Sequence, residues 1–157
     1  LSWEPNARIV LHGVSMGAAT VLMVSGEDLP GNVKAVIADC GYTSEWDEFQ
    51  READALHIPW FPVLNATSVL SKIRDGYDFK QASALAQVKK SRIPTLFIHG
   101  SSDELVPYSM LGELYAAAAC EKEKLIVEGA GHALSSSVAP TLYWRTVEDF
   151  IAKYLDR

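Results

Sequence analysis

Four short apolar runs recur along the chain, and they are rich in β-branched residues. They cover residues 7–12, 33–39, 94–99 and 124–128, and most of them end at Gly or Asp. Runs of this length without polar alternation are typical of strands that are covered on both faces. The pattern therefore predicts the buried strands of a parallel sheet.

Helical patterns separate and follow these runs. Residues 16–25 are rich in Ala and stop at Gly26, and residues 107–119 and the segment from Pro140 onward repeat apolar residues at helical spacing. The apolar positions of these last two helices are Leu111, Leu114, Tyr115, Ala118, Val147, Phe150, Ile151 and Tyr154. Alternating strands and helices predict an α/β fold, with helices covering a parallel sheet.

Residues 43–90 interrupt this alternation, because they contain no convincing strand. The segment is aromatic, it carries the Pro-punctuated string I-P-W-F-P, and it predicts helices near residues 44–55 and 77–89. An ordered connection of this length inside a domain is usually functional. We interpret it as a helical, cap-like excursion between two parts of one α/β core, residues 1–42 and 91–157.

The strongest chemical signal is the string G-V-S-M-G at residues 13–17, between the first strand and the first helix. It matches the G-x-S-x-G nucleophile elbow in the strand-turn-helix context that the motif requires. We expect a Cβ at Gly13 or Gly17 to collide with a neighbouring strand or helix, and Ser15 to adopt a strained backbone that projects Oγ. The backbone N–H of Met16 then faces any oxyanion that forms beside Ser15.

A nucleophilic serine needs a base and an orienting acid, and both follow it in the order Ser, acid, His. Asp103 follows the third predicted strand and His132 follows the fourth, so both are expected at the carboxyl edge of the sheet. Alone, Asp103 would be interpreted as a helix cap and His132 as a loop histidine. Glu104 and Asp39 are weaker alternatives for the acid. The combination favours a hydrolase.

Composition and charge exclude several other classes of function. The chain has 14 Lys+Arg against 20 Asp+Glu, a net charge of -6, and no basic cluster, so nucleic-acid binding is not expected. No apolar run approaches the roughly 20 residues that span a bilayer.

Cys40 and Cys120 lie far apart and predict buried free thiols. No His/Asp/Glu set has metal-ligand spacing, and His12, His57 and His99 are interpreted as packed or surface residues.

Four strings resemble the α/β-hydrolases, and within them the bacterial BEM46-like serine hydrolases: V-L-H-G-V-S-M-G-A-A-T, V-I-A-D-C-G-Y-T-S, L-F-I-H-G-S-S-D-E-L-V-P and V-E-G-A-G-H-A. The resemblance runs from Arg8 to the final helix. It implies that Ser15 is the nucleophile, Asp103 the acid and His132 the base, with the Met16 N–H as half of the oxyanion hole. Because family members have strands before the elbow strand, the chain resembles the C-terminal portion of the fold.

The function we predict is a serine hydrolase that cleaves an ester, thioester or related acyl bond of a small substrate, without a cofactor or metal. Two alternatives stay open. A nucleotide-binding α/β module is a poor match, because Ser15 stands where a dinucleotide loop needs glycine. A noncatalytic hydrolase-fold fragment would act by association.

The first strand should be internal in the complete fold, yet no strand precedes it here. We therefore expect the chain to pair with a missing N-terminal part or to self-associate through this edge, and to be a weak or inactive esterase alone. A cytoplasmic location is expected if only a soluble N-terminal half precedes Leu1.

Overall fold

The four predicted strands form one parallel sheet in the protein, whose structure is a computed structural model that describes residue 4 and residues 6–155. The strands are β1 (Ile9–Val14), β2 (Val33–Asp39), β3 (Thr95–Gly100) and β4 (Lys122–Val127), in the spatial order β1-β2-β3-β4. The prediction of a parallel sheet is confirmed. Strand β1 lies two residues further along than predicted, because its pairing with β2 continues to Val14 opposite Asp39.

Seven helices accompany the sheet within the described part of the chain. They are α1 (Met16–Ser25), α2 (Glu45–Ala55), α3 (Trp60–Asp75), α4 (Ala84–Val88), α5 (Tyr108–Ala117), α6 (Ser135–Val138) and α7 (Pro140–Leu155). The predicted bounds of α1 are met, and α5 is shorter than expected by a residue or two at each end. Within residues 4 and 6–155, none of these helices has both the length and the apolarity to cross a membrane.

Side chains that alternate along the inner strands build a core on each face of the sheet. Val36 and Ala38 of β2 face α1 and α5, whereas Ala35 and Ile37 face α7. The predicted apolar stripe of α7 is confirmed. Its buried residues on the sheet are Tyr143, Val147, Phe150 and Tyr154. Truncating a buried side chain such as Phe150 to Ala typically lowers the free energy of unfolding by about 3–5 kcal/mol.

The excursion over residues 43–90 is helical, but its helices differ from the prediction. The helix predicted near 44–55 is present as α2, and the Ser44 Oγ caps it by accepting the Asp47 N–H at 3.1 Å. Helix α3 was missed, because Pro59 and Pro62 were interpreted as turn residues. They lie at its start, where proline is tolerated.

The helix predicted over residues 77–89 was wrong in its first half. The Asp78 carboxylate accepts the Lys80 N–H at 3.0 Å, which holds residues 78–80 in a turn. A helix begins only after Ser83, whose Oγ accepts the Ala86 N–H at 3.1 Å. The result is the short α4.

Strand β1 occupies an edge of the described sheet, where it pairs with β2 alone. Its residues Ile9, Val10 and Leu11 are half-buried, whereas every residue of β3 is buried. An apolar strand with one unpaired side is a template for a further strand.

Candidate active site

Ser15 forms the turn between β1 and α1. Its backbone has φ 56° and ψ -119°, a left-handed conformation that a non-glycine residue adopts only under constraint. The constraint comes from both sides. The Ser15 N–H donates to the Asp39 carbonyl oxygen at 2.8 Å, and the Ser15 carbonyl accepts the Ala19 N–H at 3.0 Å. The residue is thus tied to the end of β2 and to the first turn of α1.

The two glycines of the elbow have different roles. A Cβ built on Gly13 would lie 2.1 Å from the Gly17 carbonyl oxygen, so the crossing of strand and helix requires glycine at this position. A Cβ on Gly17 would meet nothing within 4 Å. The expected collision at Gly17 was therefore wrong for the described residues. The backbone of Gly17 lies close to Gly13, but a side chain at Gly17 would point into open space.

The structure brings Ser15, His132 and Asp103 into one hydrogen-bonded chain. The Ser15 Oγ lies 2.7 Å from the His132 Nε2, and the His132 Nδ1 lies 2.9 Å from the Asp103 Oδ2. A carboxylate only accepts hydrogen bonds, so Nδ1 carries the proton and Nε2 is free to accept from the serine. The Asp103 side chain has no exposure and the His132 side chain is 20% exposed.

The loop after β3 orients the Asp103 carboxylate. Its Oδ1 accepts the backbone N–H groups of Leu105 at 3.0 Å and Val106 at 2.9 Å. These bonds turn Oδ2 toward His132, which lies in the loop after β4. Glu104, the neighbouring alternative, is exposed.

His99, the penultimate residue of β3, is fully buried beside this carboxylate. Its Nε2 lies 3.3 Å from the Asp103 Oδ2 and 3.0 Å from the Val106 carbonyl oxygen. Sequence reasoning placed His99 at a strand end as a packed or hydrogen-bonded residue, and it missed the partner. The i, i+4 separation of His99 and Asp103 was the available signal.

Asp39, the other alternative acid, is buried at the end of β2 with different partners. The Ser135 hydroxyl donates to its Oδ1 at 3.2 Å, and the Tyr143 hydroxyl donates to the same carboxyl group. Burial raises the pKa of Asp39 above its usual value. The Tyr143 oxygen also lies 3.1 Å from the His12 Nε2, and burial lowers the pKa of His12.

Cys40 lies close to Asp103 and His132. Its Sγ, a carboxylate oxygen of Asp103 and a ring nitrogen of His132 all lie within 4.8 Å of one another. Burial raises the pKa of the Cys40 thiol to about 12, so it is a neutral thiol at pH 7. This grouping of possible metal ligands was not predicted from the sequence, because its three residues lie far apart in the chain and one of them is a cysteine. The prediction that both cysteines are buried was wrong for Cys120, which is partly exposed.

The backbone around the site has two further left-handed residues, Cys40 with φ 47° and Ala133 with φ 57°. Helix α2 of the excursion approaches from another side. It places the Glu48 carboxylate within electrostatic reach of His132, and burial raises the pKa of Glu48. His57 is exposed after α2, as predicted.

Comparison with known proteins agrees with this architecture. A sequence model of the prolyl oligopeptidase family matches residues 3–157. The uncharacterized protein YqkD of Bacillus subtilis is 32% identical over 144 residues, which are 91% of this chain and 47% of that protein. The α/β hydrolase domain-containing protein WAV2 of Arabidopsis thaliana is 30% identical, over 95% of this chain and 48% of WAV2. The chain spans about half the length of these curated relatives.

Solved structures share the fold at low sequence identity. An acylaminoacyl peptidase of Pyrococcus horikoshii superposes with a TM-score of 0.72 at 18% identity, over 100% of this chain and 26% of that chain. An esterase of Pyrococcus furiosus gives 0.69 at 19% identity, over 94% and 55%. The esterase domain of a Rhodothermus marinus protein gives 0.64 at 20% identity, over 93% and 60%. The predicted fold class, part of an α/β-hydrolase fold, is confirmed.

Proposed function

The chain belongs to the prolyl oligopeptidase family, and from this premise we propose that it carries the reacting residues of a serine hydrolase. The observation that supports the proposal is the continuous hydrogen-bonded chain from the Ser15 Oγ through His132 to Asp103, with distances of 2.7 and 2.9 Å. The bond cleaved is an ester, thioester or related acyl bond. Assignment to the BEM46-like group stays a prediction.

The reaction follows from the positions of the protons. Ser15 Oγ attacks the substrate carbonyl carbon while its proton passes to the His132 Nε2, and Asp103 stabilises the imidazolium through Nδ1–H. His132 then returns the proton to the leaving group as the C–O, C–S or C–N bond breaks. Water repeats the sequence on the acyl-enzyme and releases the acid.

The negative charge of the tetrahedral intermediate needs backbone donors. Met16 opens α1, so its N–H belongs to the first turn, whose N–H groups have no partner within the helix. We assign it as one oxyanion donor, assisted by the positive end of the helix dipole.

We also propose that the excursion over residues 43–90 covers this site, since α2 brings Glu48 toward His132.

We further propose that the unpaired side of β1 takes a strand from the remainder of a longer protein or from a second copy. The proposal is supported by the edge position of β1 and by the length of the relatives, about twice that of this chain. Sedimentation of the isolated chain at low concentration tests it. A well-folded monomer with ordinary esterase turnover would contradict it.

The function is tested with Ser15→Ala in the full-length protein, with the exposed Ser109→Ala as the matched control. We expect a fluorophosphonate probe to label the wild type and the control but not Ser15→Ala. Turnover of a short-chain p-nitrophenyl ester should fall by about 10⁴-fold or more in Ser15→Ala and should not change in Ser109→Ala. Undiminished labelling or turnover in Ser15→Ala would overturn the assignment.

A further inference from the structure

We propose that His99 is a positioning residue that holds the Asp103 carboxylate in place for His132. The proposal deepens the serine-hydrolase function and rests on it. It assigns a second histidine to the acid.

Two histidine nitrogens lie near the same oxygen of Asp103. The Asp103 Oδ2 accepts from the His132 Nδ1 at 2.9 Å, and the His99 Nε2 approaches the same oxygen at 3.3 Å. The other oxygen, Oδ1, is already occupied by the N–H groups of Leu105 and Val106. His99 also holds the residue that binds Oδ1, because its Nε2–H donates to the carbonyl of Val106, whose own N–H donates to Asp103.

The neighbours of His99 define its tautomer. Its Nε2 faces the Asp103 carboxylate and the Val106 carbonyl oxygen, which are both acceptors, so Nε2 carries the proton. Its Nδ1 is buried and has no hydrogen-bond partner within the described residues. A hydrocarbon side chain of similar size would avoid that unpaired nitrogen. The polar contacts of Nε2 explain a histidine here: its N–H donates to the Val106 carbonyl oxygen at 3.0 Å, and the nitrogen lies 3.3 Å from the Asp103 Oδ2.

His99 also closes the loop that carries the acid. The bond from Nε2 to the Val106 carbonyl joins the end of β3 to the residue just before Pro107 and α5. The Tyr108 ring packs edge-on against the imidazole with ring centroids 6.1 Å apart. One side chain thus restrains both the carboxylate and the backbone of its loop.

Removing His99 should have an electrostatic signature. Without the His99 N–H dipole 3.3 Å from Oδ2, the Asp103 carboxylate attracts the His132 imidazolium more strongly. The pH at which His132 gains its proton should then move upward. Cys40 and Glu48 also face His132, and both stay unchanged in the variants below.

The test compares His99→Leu, which removes the donor, with His99→Gln, whose amide N–H reaches about as far as Nε2. Tyr108→Leu is the matched control, because it removes the ring contact and leaves Asp103 untouched. In the full-length protein we expect His99→Leu to lower kcat by up to about 100-fold, because a small misplacement of a reacting group has a cost of that size. KM should change little, His99→Gln should restore most of kcat, and Tyr108→Leu should keep it.

A second measurement does not depend on turnover. NMR titration of the His132 ring in Ser15→Ala is compared with the same titration in Ser15→Ala/His99→Leu. An upward move of the midpoint on removing His99 supports the proposal. An unchanged midpoint, or a kcat loss in His99→Leu that matches the loss of folded protein in a thermal melt, overturns it. Failure of the proposed function would appear separately, as fluorophosphonate labelling that survives Ser15→Ala.

Discussion

Two buried aspartates lie at the carboxyl edge of the sheet, Asp39 at the last position of β2 and Asp103 three residues beyond β3. Asp103 is surrounded by N–H donors from the backbone and from imidazole rings. Asp39 accepts hydrogen bonds from the hydroxyl groups of Ser135 and Tyr143, and the His99 and His12 rings interact with it only through longer-range electrostatics among the described residues. The two carboxyl groups thus occupy equivalent edges of neighbouring strands in different electrostatic surroundings.

The difference shows that a place at a strand end does not by itself make an acid partner for a histidine. Two neutral hydroxyls offset little of the desolvation of a buried carboxylate, so the pKa of Asp39 is raised. The loop after β3 instead turns its own N–H groups onto Asp103. Asp39 still serves the site, because its bond to Ser135 fastens α6 three residues after His132.

Exchanging the acid is the largest expected perturbation of this comparison. Asp103→Asn in the full-length protein should lower ester turnover by about 10⁴-fold, because an amide that donates to His132 favours the wrong imidazole tautomer. Its matched control is Asp39→Asn, which leaves the contact between His132 and Asp103 in place and should retain most of the turnover. Comparable losses in the two variants would show that Asp103 was chosen wrongly.

We expect the Asp39 carboxyl to make the free energy of unfolding depend on pH. The pKa of Asp39 is raised in the folded state, so ionising it opposes folding, and wild-type stability from this group falls as pH rises above its unfolded pKa. Asp39→Asn stays neutral. The variant should therefore gain stability relative to the wild type at pH 7, and the gain should shrink toward pH 4.

Urea unfolding at several pH values from 4 to 8 measures this difference. A gain that stays constant over that range would mean that the carboxyl of Asp39 is not the titrating group.

The smallest effect is expected from Tyr143→Phe, which removes one donor to Asp39. Loss of that hydrogen bond should lower the free energy of unfolding by about 1 kcal/mol. It should also steepen the pH dependence, because the pKa of Asp39 loses an interaction that lowers it. In the Asp39→Asn background the added slope should vanish. A double-mutant cycle at pH 7 would report the coupling, and purely additive effects would contradict the link between the two residues.

Sequence reasoning succeeded where a local pattern and the burial it implies agree. Strand β2 and helix α1 were predicted with their observed bounds, because an apolar run and an Ala-rich segment each have a clear end. The placement of Asp103 and His132 after β3 and β4 followed from chain order and from parallel strand direction.

The misses depended on contacts that are invisible in a local pattern. The start of α3 at Pro59 has the same signal as a turn, and the turn at Asp78 depends on a side chain capturing a backbone N–H. The roles of His99 and Gly17 depend on which way a side chain points. None of these directions is set by residue type alone.

The left-handed backbones of Ser15, Cys40 and Ala133 bear on the order in which parts of the molecule come apart on heating. A non-glycine residue in this conformation costs about 1–2 kcal/mol, and here three of them border one small volume at the edge of the sheet. Relaxing these turns releases that energy while the paired strands stay in place. We therefore expect the turns around Ser15 to open at a lower temperature than the sheet, so that the contact between Ser15 and His132 is lost on heating before the strands separate.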